Sequence, residues 1–348
     1  MFPEEKVQRE VAVMQFLEYF TSLPIPHILH HGMTEESPKG LGPFIIMEHI
    51  SNEGDFIDAL NVPGRSRDER PMLNPNVSEE RLEWVYGQMA DIMLQVSRHS
   101  FAEIGCIGKA NEDDEFDDTW VVKHRLLTFN MNELVQLGGV SPDLLPQSTF
   151  KTTSSYYQAL AEMHMIHLAS QRNNAIDSAE DCRTKYIARC LFRKITRENQ
   201  LCNDDAGPFK LFCDHLRPGN VLSSAQHQMT GVVDWEFTYA APTGFAHRPP
   251  FWLLLELPEL WKQGLDDWIN DRLSGHMLRS WESGDFWLNY AARKSWAFDM
   301  IYWAKIDRRF FGDGNLSDRV KLLTPDERAE MEGFVQMKLK AGEGGLPD

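Results

Sequence analysis

The chain has 348 residues, 42% of them hydrophobic and 25% charged, with 20 Phe and 10 Trp. That composition excludes disorder over most of its length and supplies a sizeable core. A formal charge of -17 sets up a field that repels phosphate backbones and anionic lipid, which argues against nucleic acid or a membrane surface as partner.

Residues Pro3 to Phe20 predict a helix. Pro3 suits a first turn, Glu4 and Glu5 suit the positive helix start, and Val13, Phe16, Leu17 and Phe20 recur at helical spacing. Lys6 stands one turn before Glu10, and the simple reading is an i,i+4 surface pair. Pro24 and Pro26 break the helix. His27 to Gly32 predicts a short strand, Thr34 to Gly42 a polar turn, and Pro43 to Ile50 a strand buried on both faces. His27, His30 and His31, with His164 and His167, read as structural histidines rather than a metal cluster.

Residues Ser51 to Asn76 read as a connector. From Ser78, the steps Leu82, Val85, Met89, Ile92 and Val96 predict a helix. Asn111 to Asp118 reads as a solvated acidic loop. Tyr156 to Ser170 predicts another helix, and Leu211 to Cys213 and Gly231 to Asp234 short β stretches. Beyond Pro258 the chain reads as helical and Trp-rich (Trp261, Trp268, Trp281, Trp287, Trp296, Trp303), with those rings packed in a core. The tail from Ala341 is expected to fray.

Five cysteines (Cys106, Cys182, Cys190, Cys202, Cys213) include no C-x-x-C pair, which points to reduced, mostly buried thiols. The N-terminus lacks the apolar core of a signal peptide, and the longest apolar run, Phe251 to Leu255, is far short of the ~18 residues of a spanning helix. A soluble, cytoplasmic protein is expected.

The most informative stretch is Phe212-Cys213-Asp214-His215-Leu216-Arg217-Pro218-Gly219-Asn220-Val221-Leu222, followed by Gly231-Val232-Val233-Asp234-Trp235-Glu236. Asn220 opens one apolar strand and Asp234 ends the next, so an amide oxygen and a carboxylate fall at adjacent strand ends. Such a pair can share Mg²⁺, which binds through few protein oxygens plus substrate phosphates. Phosphoryl transfer needs little more than bridging metal and a carboxylate that orients the acceptor hydroxyl.

These motifs resemble the aminoglycoside phosphotransferase and choline kinase-like family of small-molecule kinases, whose catalytic loop reads H-x-D-x-x-x-x-N before an I-D-W/F segment. The similarity spans Pro3 to about Trp303. It implies an α+β, protein kinase-like two-lobed fold. Residues 1–52 would be a reduced nucleotide-binding lobe, 53–340 a large, mostly helical lobe, and 341–348 a flexible tail. It implies Asn220 and Asp234 as metal ligands, Asp214 or His215 as the group orienting the acceptor, and ATP and Mg²⁺ as cofactors. Glu48 and Ile50 would offer backbone to adenine, and Glu10 matches the glutamate that pairs with a phosphate-binding lysine. The acceptor would be a small hydroxylated molecule.

Two departures bear on activity. His215 stands five residues before Asn220, where the family has its catalytic Asp, and Asp214 is one residue early. Loss of one positioned acid/base group typically costs ~10²–10⁴ in rate. Only nine residues precede Glu10, too few for the strands that carry the family's phosphate-covering loop and lysine. A kinase-like binding or scaffold module without catalysis is therefore the alternative, and a metal-dependent hydrolase using Asp214, His215 and Asp234 a weaker third. Arg217 is expected to pair with Asp214 or Glu236, or to contact phosphate. Trp235 is expected in the core, and Glu236 beside the metal site or on the surface.

Overall fold

A computed structural model describes residues 1–66, 68–69, 71–113, 118–172, 175–198, 201, 205–250 and 273–343. Cys202, the run Phe251 to Leu255, Trp261 and Trp268 lie outside the described residues. The strands are β1 (Ile28–Gly32), β2 (Phe44–Met47), β3 (Gly54–Asp55), β4 (Ser100–Phe101), β5 (Cys106–Lys109), β6 (Trp120–His124), β7 (Phe209–Cys213), β8 (Val221–Ser223), β9 (Met229–Val232) and β10 (Thr238–Ala241). The helices are α1 (Pro3–Phe20), α2 (Phe56–Leu60), α3 (Glu79–Ser97), α4 (Phe129–Gln136), α5 (Thr153–Ser170), α6 (Ala179–Arg197) and α7 (Thr243–Ala246). They continue with α8 (Leu273–Glu282), α9 (Asp285–Arg293), α10 (Phe298–Ile301), α11 (Asp307–Phe311), α12 (Leu316–Leu322) and α13 (Pro325–Glu343). The architecture is mixed α+β, with small antiparallel sheets ordered β1-β2, β10-β7-β4, β3-β8-β9 and β5-β6. Among the described residues, no helix is long and apolar enough to cross a membrane.

The chain divides into two compact units, each built from separated stretches. One joins Phe2–Thr128 to Pro208–Arg279, and the other joins Phe129–Gly207 to Ser280–Asp348. Residue 52, the expected lobe boundary, falls inside the first.

In the first unit, α1 buries Val11, Val13, Met14, Phe16 and Leu17 and packs on β1, β2, β5 and β10. The helix α3 starts at Ser78, whose hydroxyl accepts the Arg81 N–H, and buries Leu82, Val85, Met89, Ile92 and Val96, the set its periodicity predicts. The polar side of α3 is also used: Gln88 and Trp84 donate to the His227 carbonyl at 2.9 and 3.1 Å, and Gln88 Oε1 accepts the Met229 N–H at 2.8 Å. Those bonds hold the turn between β8 and β9 onto α3.

Several sequence expectations need correction here. The strand β2 is half-buried, with Ile46 49% exposed, because it belongs to a two-stranded ribbon. The connector contains β3 and α2. There Asp55 caps α2 by accepting the Ile57 and Asp58 N–H groups, and the Asp58 carboxylate takes the Asp55 N–H. This reciprocal box turns a polar stretch into a helix start. The β5-β6 hairpin pairs two short runs that carry no strand signature of their own. Asp118, in the loop between its strands, accepts the Tyr19 hydroxyl at 3.0 Å.

In the second unit, the unanticipated helices α4 and α6 join the expected α5. Helix α6 starts at Ser178 and buries Tyr186, Leu191, Phe192 and Ile195. Arg189, also buried on α6, bonds the Asp299 carboxylate and donates to the His164 carbonyl at 2.9 Å. His164 donates Nε2–H to the Ala292 carbonyl at 3.1 Å and stacks on Phe298. Trp281 and Trp296 are 42% and 45% exposed, so they cap the core rather than fill it. The last helix runs through Ala341 to Glu343, further than the expected fraying point. Cys106, Cys182, Cys190 and Cys213 are buried free thiols.

Candidate functional site

Strand β7 delivers Asp214 and His215, a 3₁₀ turn at Pro218–Asn220 leads into β8, and β9 delivers Val233 to Phe237 before β10 returns beside β7. Backbone bonds lock these segments together. Val233 N–H reaches the Asn220 carbonyl at 2.9 Å, Asn220 N–H the Arg217 carbonyl at 2.9 Å, and Asp214 N–H the Phe237 carbonyl at 3.3 Å. Two glycines allow close approach. A Cβ on Gly219 would meet Ile57 Cδ1 at 2.9 Å, and one on Gly231 would meet Ile50 Cδ1 at 2.5 Å. Asp234 and Phe237 adopt left-handed φ of 64° and 59°, a conformation that costs non-glycine residues free energy and concentrates at functional turns.

Asn220, 3% exposed, donates Nδ2–H to Asp234 Oδ2 at 2.8 Å, while its Oδ1 accepts the Arg217 N–H at 3.1 Å. A flipped amide would set NH₂ against N–H, so the bonding fixes which end faces Asp234. His215 Nδ1 lies 3.1 Å from Asp234 Oδ2 and 3.7 Å from Glu236 Oε1. The other Glu236 oxygen pairs with Lys6 Nζ at 2.5 Å, and that ammonium also sits 5.2 Å from the Phe237 ring centroid. From α1, Glu10 Oε1 accepts the Trp235 N–H at 3.1 Å. Trp235 itself is buried and donates Nε1–H to the Val232 carbonyl at 3.1 Å.

Burial opposes ionisation of Asp234, but the His215 imidazole beside it, the hydrogen bond from Asn220 and the charge of Arg217 hold its carboxyl below the usual range. Glu10 behaves in the opposite way. Burial, with the charge of Asp234 added, raises it to about 7, because its one backbone hydrogen bond does not offset lost hydration.

The structure thus brings together His215, Asn220, Asp234 and Glu10 of the expected residues, sets Glu236 beside them, and adds Lys6. Asp214 is buried at the end of β7. Lys6 does not make the expected surface pair with Glu10; it bonds Glu236. Arg217 is exposed and acts on Asp234 through its charge rather than by an ion pair to Asp214 or Glu236. Glu48 donates its N–H to the His27 carbonyl at 2.9 Å, leaving its own carbonyl as the backbone group it can offer, and the Ile50 side chain covers Gly231. His27, for its part, bonds Glu18 at 2.7 Å.

For a hard cation, the donor set fits in part. Asp234 and Glu236 offer carboxylate oxygens with His215 beside them, all within 4.8 Å of one another. Asn220 faces Asp234 with nitrogen, and its oxygen keeps one lone pair beyond the bond from Arg217. Lys6 and Glu236 were the residues that sequence reasoning missed as partners, since only folding sets α1 against the turn after β9. Comparison with protein-family models and with curated proteins finds no match for this chain.

Proposed function

We propose that the chain is a protein kinase-like small-molecule phosphotransferase of the aminoglycoside phosphotransferase type, with slow turnover. The observation that carries this reading is the 2.8 Å bond between Asn220 and Asp234, which brings together, at adjacent strand ends, the two residues that the resemblance pairs. Asp234 and Glu236 would hold Mg²⁺, with Asn220 orienting Asp234. The ion, when bound, supplies charge to neutralise ATP phosphates. Glu10 ties α1 to the turn at Trp235. The Glu48 carbonyl and the Ile50 backbone are the groups offered to adenine, and Ile50 packed over Gly231 gives that edge an apolar floor. His215 occupies the position of the acceptor-orienting group, where a neutral imidazole accepts a proton without contributing negative charge.

A second reading, a kinase-like binding module without catalysis, is favoured by that same imidazole. Its Nδ1 is turned onto Asp234 and Glu236, so it is engaged inside the cluster.

Calorimetric titration with ATP and MgCl₂ tests the proposal. Saturable binding that requires the cation and disappears in Asp234→Asn supports it. Unchanged ATP affinity in that variant sinks it. Asn tolerates left-handed φ, so the substitution spares the turn. Bound ATP with no hydrolysis or transfer to polyhydroxylated acceptors selects the second reading.

A further inference from the structure

We infer that His215, Asp234 and Glu236 form a mixed nitrogen–oxygen cation site that takes a transition-metal dication in preference to Mg²⁺, with Lys6 and Asn220 as positioning residues. The inference rests on the phosphotransferase reading for what the ion does there, but not for its donors.

Three observations carry it. First, the two separations from His215 suit one ion, and all three ligand atoms lie within 4.8 Å of one another. Two ligand atoms bound at about 2.0–2.2 Å stand roughly 3–4 Å apart, and His215 Nδ1 lies 3.1 Å from Asp234 Oδ2 and 3.7 Å from Glu236 Oε1. The side chains are 18%, 31% and 19% exposed, so an ion has a path in and water can complete its coordination. Second, each carboxylate is oriented by a group outside the trio. Lys6 takes Oε2 of Glu236, leaving Oε1 toward His215, and Asn220 holds Asp234. Outer partners of that kind fix ligand direction in metal sites. Third, Asp234 sits at φ 64°, a left-handed backbone that aims its carboxylate into the cluster at a local cost.

The chemistry of the donors sets the selectivity. Imidazole nitrogen suits cobalt, zinc, nickel and iron, whereas Mg²⁺ prefers an all-oxygen octahedron and keeps its waters. Asn220 could have supplied the oxygen that Mg²⁺ favours, but it presents nitrogen to Asp234 and turns its oxygen toward the Arg217 N–H.

Titration of the full chain with CoCl₂ and, separately, MgCl₂, without nucleotide, tests the site by calorimetry and by visible absorption of cobalt. One cobalt per chain is expected, bound at least about tenfold more tightly than magnesium. His215→Ala should weaken cobalt by about tenfold or more and move its absorption band, while changing magnesium less than about threefold. His215→Asn serves as a second variant that keeps a polar side chain, with far-UV circular dichroism checking the fold of both. Equal affinities for the two ions, or a cobalt spectrum indifferent to both His215 substitutions, overturns the inference. Cobalt binding as expected with no ATP binding leaves this site standing and removes the phosphotransferase reading. ATP binding that depends on magnesium, with no nitrogen signature for cobalt, does the reverse.

Discussion

Asn220 donates its side-chain amide to the carboxylate of Asp234, 14 residues further along the chain, at 2.8 Å. The same amide accepts the Arg217 N–H through its oxygen, so one buried side chain closes its own turn and aims the residue at the end of the neighbouring strand. Asn220→Ala removes two part-buried hydrogen bonds, and a bond of this kind contributes about 0.5–1.5 kcal/mol, more where the acceptor is charged. Urea unfolding is expected to show destabilisation within that range or above it. A change under about 0.5 kcal/mol, the scatter of ordinary surface substitutions, contradicts the structural role assigned here.

Lys6 separates two readings of α1. A double-mutant cycle of Lys6→Met with Glu236→Gln should give a coupling of about 1 kcal/mol or less, because the pair is partly exposed and solvent screens it. The cycle of Lys6→Met with Glu10→Gln should give a smaller coupling. The opposite order restores the i,i+4 pairing that sequence spacing suggests.

His215→Asp places an acid at this position and sets a third carboxylate against Asp234 and Glu236. Like charges at such distances oppose one another. The variant should melt lower than the parent without divalent cations and recover when MgCl₂ is added, since an all-oxygen cluster suits that ion. Thermal melts with and without MgCl₂ check this. A variant as stable as the parent in metal-free buffer shows that the three side chains do not share one field.

Acid sensitivity should come in part from His167. Burial, then the charge of Arg189, lowers this imidazole to about 4, below the unfolded value of about 6.5. A depressed folded value means that the unfolded chain binds the proton first. Its contribution is therefore intact above pH 6.5 and is lost as pH falls toward about 4. His167→Leu removes ring nitrogens that have no hydrogen-bond partner among the described residues. Its melting temperature should fall less steeply than the parent's between pH 6.5 and 4. Parallel curves disprove the assignment.

Arg319 and Asp307 form a buried pair, 4% and 7% exposed, joined at 2.9 Å through Nε and 2.8 Å through an Nη. Arg319 also donates to the Phe311 carbonyl at 3.4 Å. Arg319→Met leaves the Asp307 carboxylate uncompensated, an expected loss of about 3–5 kcal/mol. Adding Asp307→Asn should return part of that loss, as read from urea midpoints.

Local signals carried much of the fold. The α1 bounds follow from Pro3 and Pro24 acting on backbone torsions, and the buried face of α3 follows from 3.6-residue periodicity, since both depend on near neighbours in sequence. The strands around Asn220 and Asp234 were legible for the same reason. Residues without a local signature were not. The α2 box hides in a polar stretch, β5 and β6 are short runs that gain meaning only by pairing, and the exposure of Trp281 and Trp296 depends on what packs over them.

The site divides along the same line. Its amide and carboxylate lie beside a Pro-Gly turn and an apolar strand, so residue type and spacing pointed to Asn220 and Asp234, while His215 came from the family resemblance. That Lys6 bonds Glu236 and not Glu10, that Glu10 reaches the Trp235 N–H, and that Asn220 presents nitrogen to Asp234 depended on contacts across more than 200 residues of chain for the first two and on the turn geometry for the third. Sequence spacing constrains which side chains share a face of one element. Which elements meet, and which atom of a side chain points inward, is set by the packing of the whole unit around them.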